Sequence, residues 1–166
     1  AVPLIMERLK RVDKPAPADP PAPKEILLKG ADISLAVFVE RDGEVTQAAD
    51  GDTFHPGERI QFSAVSARPR YVAVYGIDGL GVTRYIPSAF KQPLRLAAGE
   101  ETPLEPAFNL DDTLGEETVL GLFCQRPFDA AEVKERLLRR EDPGVAGAAC
   151  STVTFTMAKK ARKGGE

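Results

Sequence analysis

The stretch Arg59–Pro87, RIQFSAVSARPRYVAVYGIDGLGVTRYIP, decides the fold class, because it reads as three β-strands joined by two tight turns. From Arg59 to Ser66, the residues Ile60, Phe62 and Ala64 fall on one face and Gln61 and Ser63 on the other. A period of two marks a strand with one buried side. Tyr71 to Ile77 carries large residues on both faces, with Tyr71, Tyr75 and Ile77 opposite Val72 and Val74. That fits a central strand covered from both sides. Asp78-Gly79 turns the chain, since glycine accepts a positive φ without a Cβ clash. Val82 to Ile86 is the third strand, and it ends at Pro87, which has no amide hydrogen for a ladder.

Strand signals continue on both sides of this stretch. Ile33 to Glu40 alternates Ile33, Leu35, Val37 and Val39 with Ser34, Ala36 and Glu40, and Asp42-Gly43 is a hairpin signature before a returning strand from Glu44 to Ala48. Turns are expected at Asp50-Gly51-Asp52, at His55-Pro56-Gly57-Glu58 and at 111–115, and short strands at 94–96 and 103–110. Thr118 to Cys124 is apolar on both faces and reads as a second central strand. Asp129 is placed to cap a helix, with Glu132 completing a capping box and Phe128 and Val133 set for a hydrophobic staple. Asp142-Pro143-Gly144 stops that helix. The last strand alternates Val153, Phe155 and Met157 with Thr152, Thr154 and Thr156. Short strands with frequent turns and one late helix predict an all-β fold. The expected form is an antiparallel immunoglobulin-like β-sandwich of seven to nine strands. No regular strand–helix alternation supports a doubly wound sheet.

The chain has 166 residues, which suits one domain with tails. The sandwich is expected over residues 26–158. Residues 13–25 hold a proline-rich linker, DKPAPADPPAPK, which would extend about 35 Å at roughly 3 Å per residue. A spacer explains it more simply than a ligand for a proline-reading module. Residues 1–12 open without Met on an apolar run, Ala1-Val2-Pro3-Leu4-Ile5, followed by Glu7 and Arg8. This reads either as the trimmed, membrane-proximal end of an anchor helix or as a frayed end. Residues 159–166 are expected to be a disordered basic tail. Net charge is −3 with both signs interspersed, so there is no concentrated basic face to bring nucleic acid.

Cys124 and Cys150 flank the helical excursion. A disulfide between them would contribute about 3–4 kcal/mol through loop closure. It would also place the chain in an oxidising compartment. The alternative is two free buried thiols. No C-x-x-C motif supports a redox pair. His55, the single histidine, sits beside Pro56-Gly57 and reads as a solvent-facing turn residue without triad partners. Asp50, Asp52, Asp111, Asp112, Glu116 and Glu117 would hold Ca²⁺ only if their loops met, and turn-forming duty explains them better. Gly76, Gly79 and Gly81 do not follow the order of a phosphate loop, and no helix follows them. The tail lysines and arginine, Lys159, Lys160, Arg162 and Lys163, read as solvated. Tyr71, Tyr75, Tyr85 and Phe90 would line a groove if exposed, although core packing accounts for most of them. The loop of Tyr85, Pro87 and Phe90 is the candidate interaction surface.

The order of landmarks carries a resemblance. It runs from Phe54-His55-Pro56-Gly57-Glu58-Arg59-Ile60-Gln61-Phe62 through Tyr71-Val72-Ala73-Val74 and Tyr85-Ile86-Pro87. It continues through Leu110-Asp111-Asp112-Thr113-Leu114-Gly115-Glu116-Glu117 and Leu122-Phe123-Cys124 to the Cys150 strand. Over roughly residues 33–157 it resembles a bacterial extracytoplasmic domain-of-unknown-function family. That family is found at the C-terminus of myxobacterial anti-sigma-factor-like membrane proteins. The resemblance implies a periplasmic sandwich behind one transmembrane helix, with a sensory or interaction role and no established ligand, cofactor or catalytic residue.

These readings converge on a non-enzymatic periplasmic domain of a membrane-anchored envelope protein, needing no cofactor and no metal. Its partner would be another envelope protein or a cell-wall ligand. A carbohydrate- or peptidoglycan-binding module is the alternative, and it requires an exposed aromatic platform. A hydrolase built on Asp111, Asp112, Glu116 or Glu117 requires those carboxylates to converge in a pocket.

Overall fold

A computed structural model of the chain describes residues 32–89, 91–144 and 148–162. The opening segment, the proline-rich linker, the expected domain start at Ile26 and the end of the basic tail lie outside the described residues. Among the described residues are ten strands rather than seven to nine, and one helix. The strands are β1 (Ile33–Arg41), β2 (Glu44–Gln47), β3 (Thr53–Phe54), β4 (Arg59–Ser66), β5 (Arg70–Asp78), β6 (Gly81–Ile86), β7 (Leu94–Leu96), β8 (Thr102–Asn109), β9 (Gly115–Cys124) and β10 (Cys150–Lys159). The helix α1 spans Ala130–Leu138.

The strands form two layers. One sheet has the order β2-β1-β4-β8, and the other β3-β10-β9-β5-β6, with β7 also pairing β5. Among the described residues the strand pairings are antiparallel except β3 with β10, where Thr53 lies beside Ala158. β3 escapes sequence reading because two residues carry no period. The opening stretch is split between the layers: β4 belongs to the first sheet, and β5 and β6 to the second. The turn at 67–69 therefore carries the chain across the sandwich, with Ser66 Oγ donating to Arg68 O.

The alternation of β1 does what its period requires. Ile33, Leu35, Val37 and Val39 are buried and meet Ile60, Phe62 and Ala64 of β4 beside Val72, Val74, Val119, Phe123 and Met157 of the opposite sheet. Each such side chain taken fully out of water contributes about 1.5–3 kcal/mol. The β1–β2 hairpin closes through Asp42 at φ 50° and Gly43 at φ 82°, so both central residues take the left-handed conformation of a type I′ turn. At the β5–β6 turn the left-handed residue is Gly81 rather than Gly79. Asp78 Oδ1 holds that turn by accepting from the amides of Leu80 and Gly81.

A smaller second cluster lies on the outer face of the β5–β9 sheet, where Ala73, Tyr75, Leu122 and Cys124 pack under Phe128, Ala130, Val133 and Ala148. β5 and β9 thus have cover on both faces, as their composition predicts. Asp129 caps α1, its carboxylate accepting from the amides of Ala131 and Glu132. Phe128 and Val133 are both buried, as a staple requires. The helix ends at Leu138, four residues ahead of Asp142, with a turn in which Arg140 takes φ 60°.

β1 and β10 start at the same end of the sandwich. Asp32, just before β1, pairs with Arg70 at 3.2 Å, and the next residue, Tyr71, lies on the Tyr71–Cys124–Cys150 rung. Both strands run to the far end, where Arg41 donates to Thr53 O and Ala158 pairs with Thr53.

Candidate functional site

At that far end, four polar side chains from four segments meet where the core opens to solvent. Period-two geometry turns Val119 and Phe123 of β9 inward, and Glu117 is in phase with them. The same rule puts Lys159 in phase with Phe155 and Met157 of β10. Tyr85 comes from β6, and Asp111 from the loop between β8 and β9. The Tyr85 hydroxyl donates to Glu117 Oε2 at 2.6 Å. Lys159 Nζ lies 3.0 Å from Glu117 Oε1 and 2.8 Å from Asp111 Oδ1. The Glu117 and Lys159 side chains are 3% and 2% exposed, whereas that of Asp111 is 63% exposed. Phe62 and Phe108 pack on the Tyr85 ring, with centroids 5.2 and 5.0 Å away.

Gly76 on β5 makes room for this group. A Cβ there would meet Glu117 Oε2 and, at 2.6 Å, Tyr85 Cε2. Glycine is required by close approach, not by its φ.

The electrostatics follow from geometry. Burial alone would push the Lys159 ammonium down, but the hydrogen bonds and charges of Asp111 and Glu117 outweigh it and raise its pKa above the ordinary lysine value. The hydrogen bond from Lys159 lowers the Asp111 pKa. Burial first, then the Glu117 charge and hydrogen bond, push the Tyr85 hydroxyl far above its ordinary value. One cation thus sits between two carboxylates, one of them deeply buried.

The cysteines are joined. Cys124 and Cys150 face each other across the first rung of β10 and form a disulfide. The bridge lies at the mouth of the α1 excursion, opposite the end that holds Lys159. Tyr71 neighbours Cys124 on β5, and the Arg95 guanidinium lies 5.8 Å from the Tyr71 ring centroid.

The expected interaction surface comprises Tyr85, Pro87 and Phe90. Tyr85 is buried, because its ring packs in the core and its hydroxyl is drawn to Glu117. Pro87 is half-buried, and Phe90 lies outside the described residues. Tyr75 is also buried, its hydroxyl donating to Ala130 O at 2.8 Å. Tyr71, Tyr75 and Tyr85 therefore do not line one groove: Tyr85 faces between the sheets, and the other two face the α1 side.

His55 is half-buried in its turn, with Nδ1 2.8 Å from Lys160 O in an exposed contact. It joins the turn before β4 to the residue after β10. Of the acidic residues, Asp111 and Glu117 meet at Lys159, and the others stand apart. Asp50 accepts from the Thr156 amide, Asp52 accepts from the Ala49 amide, and Asp112 and Glu116 are exposed. Among the described residues no group of three or more His, Cys, Asp or Glu is placed to hold a metal. Lys159 is not tail: it is the last residue of β10, drawn inward by its two carboxylates. Lys160 and Arg162 are exposed, and Lys163 lies outside the described residues.

The Tyr85–Glu117–Lys159–Asp111 group was absent from the sequence reading as a unit. Its signal was present: one more inward position along the alternations of β9 and β10 reaches Glu117 and Lys159, both charged.

Among the described residues no helix is long and apolar enough to cross a membrane. No family model matches the chain, and no curated protein matches it.

Proposed function

We propose that this chain is a non-enzymatic, extracytoplasmic domain of a membrane-anchored envelope protein. In this reading it is held off the periplasmic membrane face by residues 13–25 and engages a partner protein or senses envelope conditions. The order of sequence landmarks from Phe54 to the Cys150 strand suggests a link to sigma-factor regulation in this reading. The observation that carries the compartment is the Cys124–Cys150 bridge. Thiol-reducing systems keep cytosolic cysteines apart, whereas envelope and secreted proteins retain their bridges. The non-enzymatic reading is supported by how the polar groups are used. Glu117 holds Tyr85 and Lys159, Glu58 accepts from Arg41 and from the His55 amide, and the Tyr75 hydroxyl is bound to Ala130 O. Each joins one segment to another, which is what a rigid display scaffold needs.

The test is made in cells producing the full-length protein. Thiols are blocked by alkylation before lysis, and the protein is weighed before and after reduction. The expected result is that Cys124 and Cys150 escape alkylation before reduction and are both alkylated after it. The domain should also be digested by protease added outside spheroplasts. Alkylation of both Cys124 and Cys150 without reduction, or complete protection from external protease, would sink the proposal.

A further inference from the structure

We propose that the open edge of β10, Cys150–Thr154, pairs with the same edge of a second copy of this chain. The inference stands on that strand and does not depend on the compartment reading. On one side β10 pairs with β9 along its whole length. On the other side only its last part is covered. Thr156 O accepts from the Gly51 amide and the Thr156 amide donates to Asp50 Oδ1, while the Ala158 and Lys160 amides donate to Asp52 O and Phe54 O. Backbone groups alternate in direction along an antiparallel strand, so the amides and carbonyls of Thr154, Thr152 and Cys150 point the same way as those of Thr156. Among the described residues no backbone partner meets them there. Ser151, Thr152 and Thr154 are exposed.

Such an unpaired row is a template for another strand, and proteins usually blunt it with charge, proline, a bulge or brevity. The outer strands of the other sheet are blunted in this way. β2 is short and begins at Glu44, and β8 carries Pro103, Pro106 and a break in register against β4 between Ile60 and Phe62. The stretch Cys150–Phe155, CSTVTF, has no charge and no proline, and its Thr, Val and Phe suit a strand.

The shape of the opening selects the occupant. It is closed at one end by the 50–54 segment lying against Thr156, and at the other by the turn at Ala149, φ 55°. What remains is Cys150–Thr154, and a second copy offers a segment of that same length. Set antiparallel about Thr152, the two strands place Thr152 opposite Thr152 and Cys150 opposite Thr154. Each open amide then meets an open carbonyl of the other copy. Ser151 falls opposite Val153, so no like charges oppose one another, and Thr facing Thr is a favourable cross-strand pair. The contact is isologous and closes at a dimer, with the β9–β10 sheet running on through both copies. It is small, under about 1,200 Å² in total, so the dimer is expected to come and go with concentration.

The test is sedimentation of the purified 166-residue chain, disulfide intact, over a rising series of concentrations. A monomer–dimer equilibrium is expected, with the amides of Cys150, Thr152 and Thr154 exchanging more slowly as the dimer fills. Thr152→Lys and Thr152→Glu each put like charges across the axis from an exposed position, and each alone should weaken the dimer by about fivefold or more. Mixed in equal amounts, the two variants should pair with each other and recover the dimer. Wild-type chain that stays monomeric up to about 1 mM overturns the proposal. A dimer as tight in Thr152→Lys as in wild type overturns the choice of surface. A mixture no tighter than either variant alone overturns the pairing about Thr152.

Discussion

Lys159 sits where a methionine or phenylalanine would suit the alternation of its strand, and Glu117 makes that tolerable. Removing one partner leaves the other as an unpaired buried charge, which typically costs about 3–5 kcal/mol, while replacing both by apolar residues is far milder. Lys159→Met is therefore expected to destabilise the domain by about that much, and Lys159→Met with Glu117→Met to recover most of the loss. Denaturant unfolding of the two variants, with the disulfide kept intact, measures the difference. Gln61 is the opposite case. It is fully buried on β4, and neither Nε2 nor Oε1 has a hydrogen-bond partner among the described residues. An orphaned buried amide costs about 1–3 kcal/mol. Gln61→Met keeps the length and removes the polar atoms, so it is expected to raise stability by about 1 kcal/mol or more. An unchanged or lower unfolding midpoint would count against this account.

At the scale of elements, α1 shows how local chemistry and packing share the work. Nine residues make a helix that is marginal in isolation. It persists because Asp129 satisfies two amides at its start and because Ala130 and Val133 are buried against the sheet. Asp129→Ala is expected to cost about 1 kcal/mol, seen first as faster amide exchange in α1 while β1 and β9 stay protected. The cap was legible in the sequence because Asp129, Phe128 and Val133 are neighbours. The strands were legible for the same reason: β1, β4 and β10 announce themselves by a period of two. Sheet membership was not legible. A three-residue turn such as 67–69 serves a hairpin or a crossover equally well, and only the partners of β4 and β5 decide between them. The disulfide was legible because its cysteines flank one excursion. The polar group was missed because Tyr85, Asp111, Glu117 and Lys159 come from four segments and share no local motif. Tyr85 was misplaced for a related reason, since nothing beside it in sequence shows that Glu117 waits for its hydroxyl.

For the whole molecule, the buried tyrosines set an alkaline limit. Burial leads the rise in both, opposed at Tyr75 by the Arg84 charge and reinforced at Tyr85 by Glu117, so both hydroxyls titrate well above the free value of 10.0. Above pH 10 the unfolded chain loses these protons while the folded chain keeps them. Stability is thus complete below about pH 10 and falls as pH rises further. Unfolding midpoints measured from pH 8 to 11.5 should decline on the alkaline side, and Tyr85→Phe should decline less steeply while starting lower. A Tyr85→Phe slope as steep as that of wild type would refute this assignment. The shared starting end of β1 and β10 has a consequence of its own. Chain attached ahead of Asp32 and chain attached after Lys159 leave from opposite poles, separated by the length of a ten-residue strand, about 33 Å. A pull between those attachments would load the β9–β10 hydrogen bonds side by side rather than one after another. The domain would then carry tension along its long axis, as an in-line strut whose last strand is fastened at both extremities.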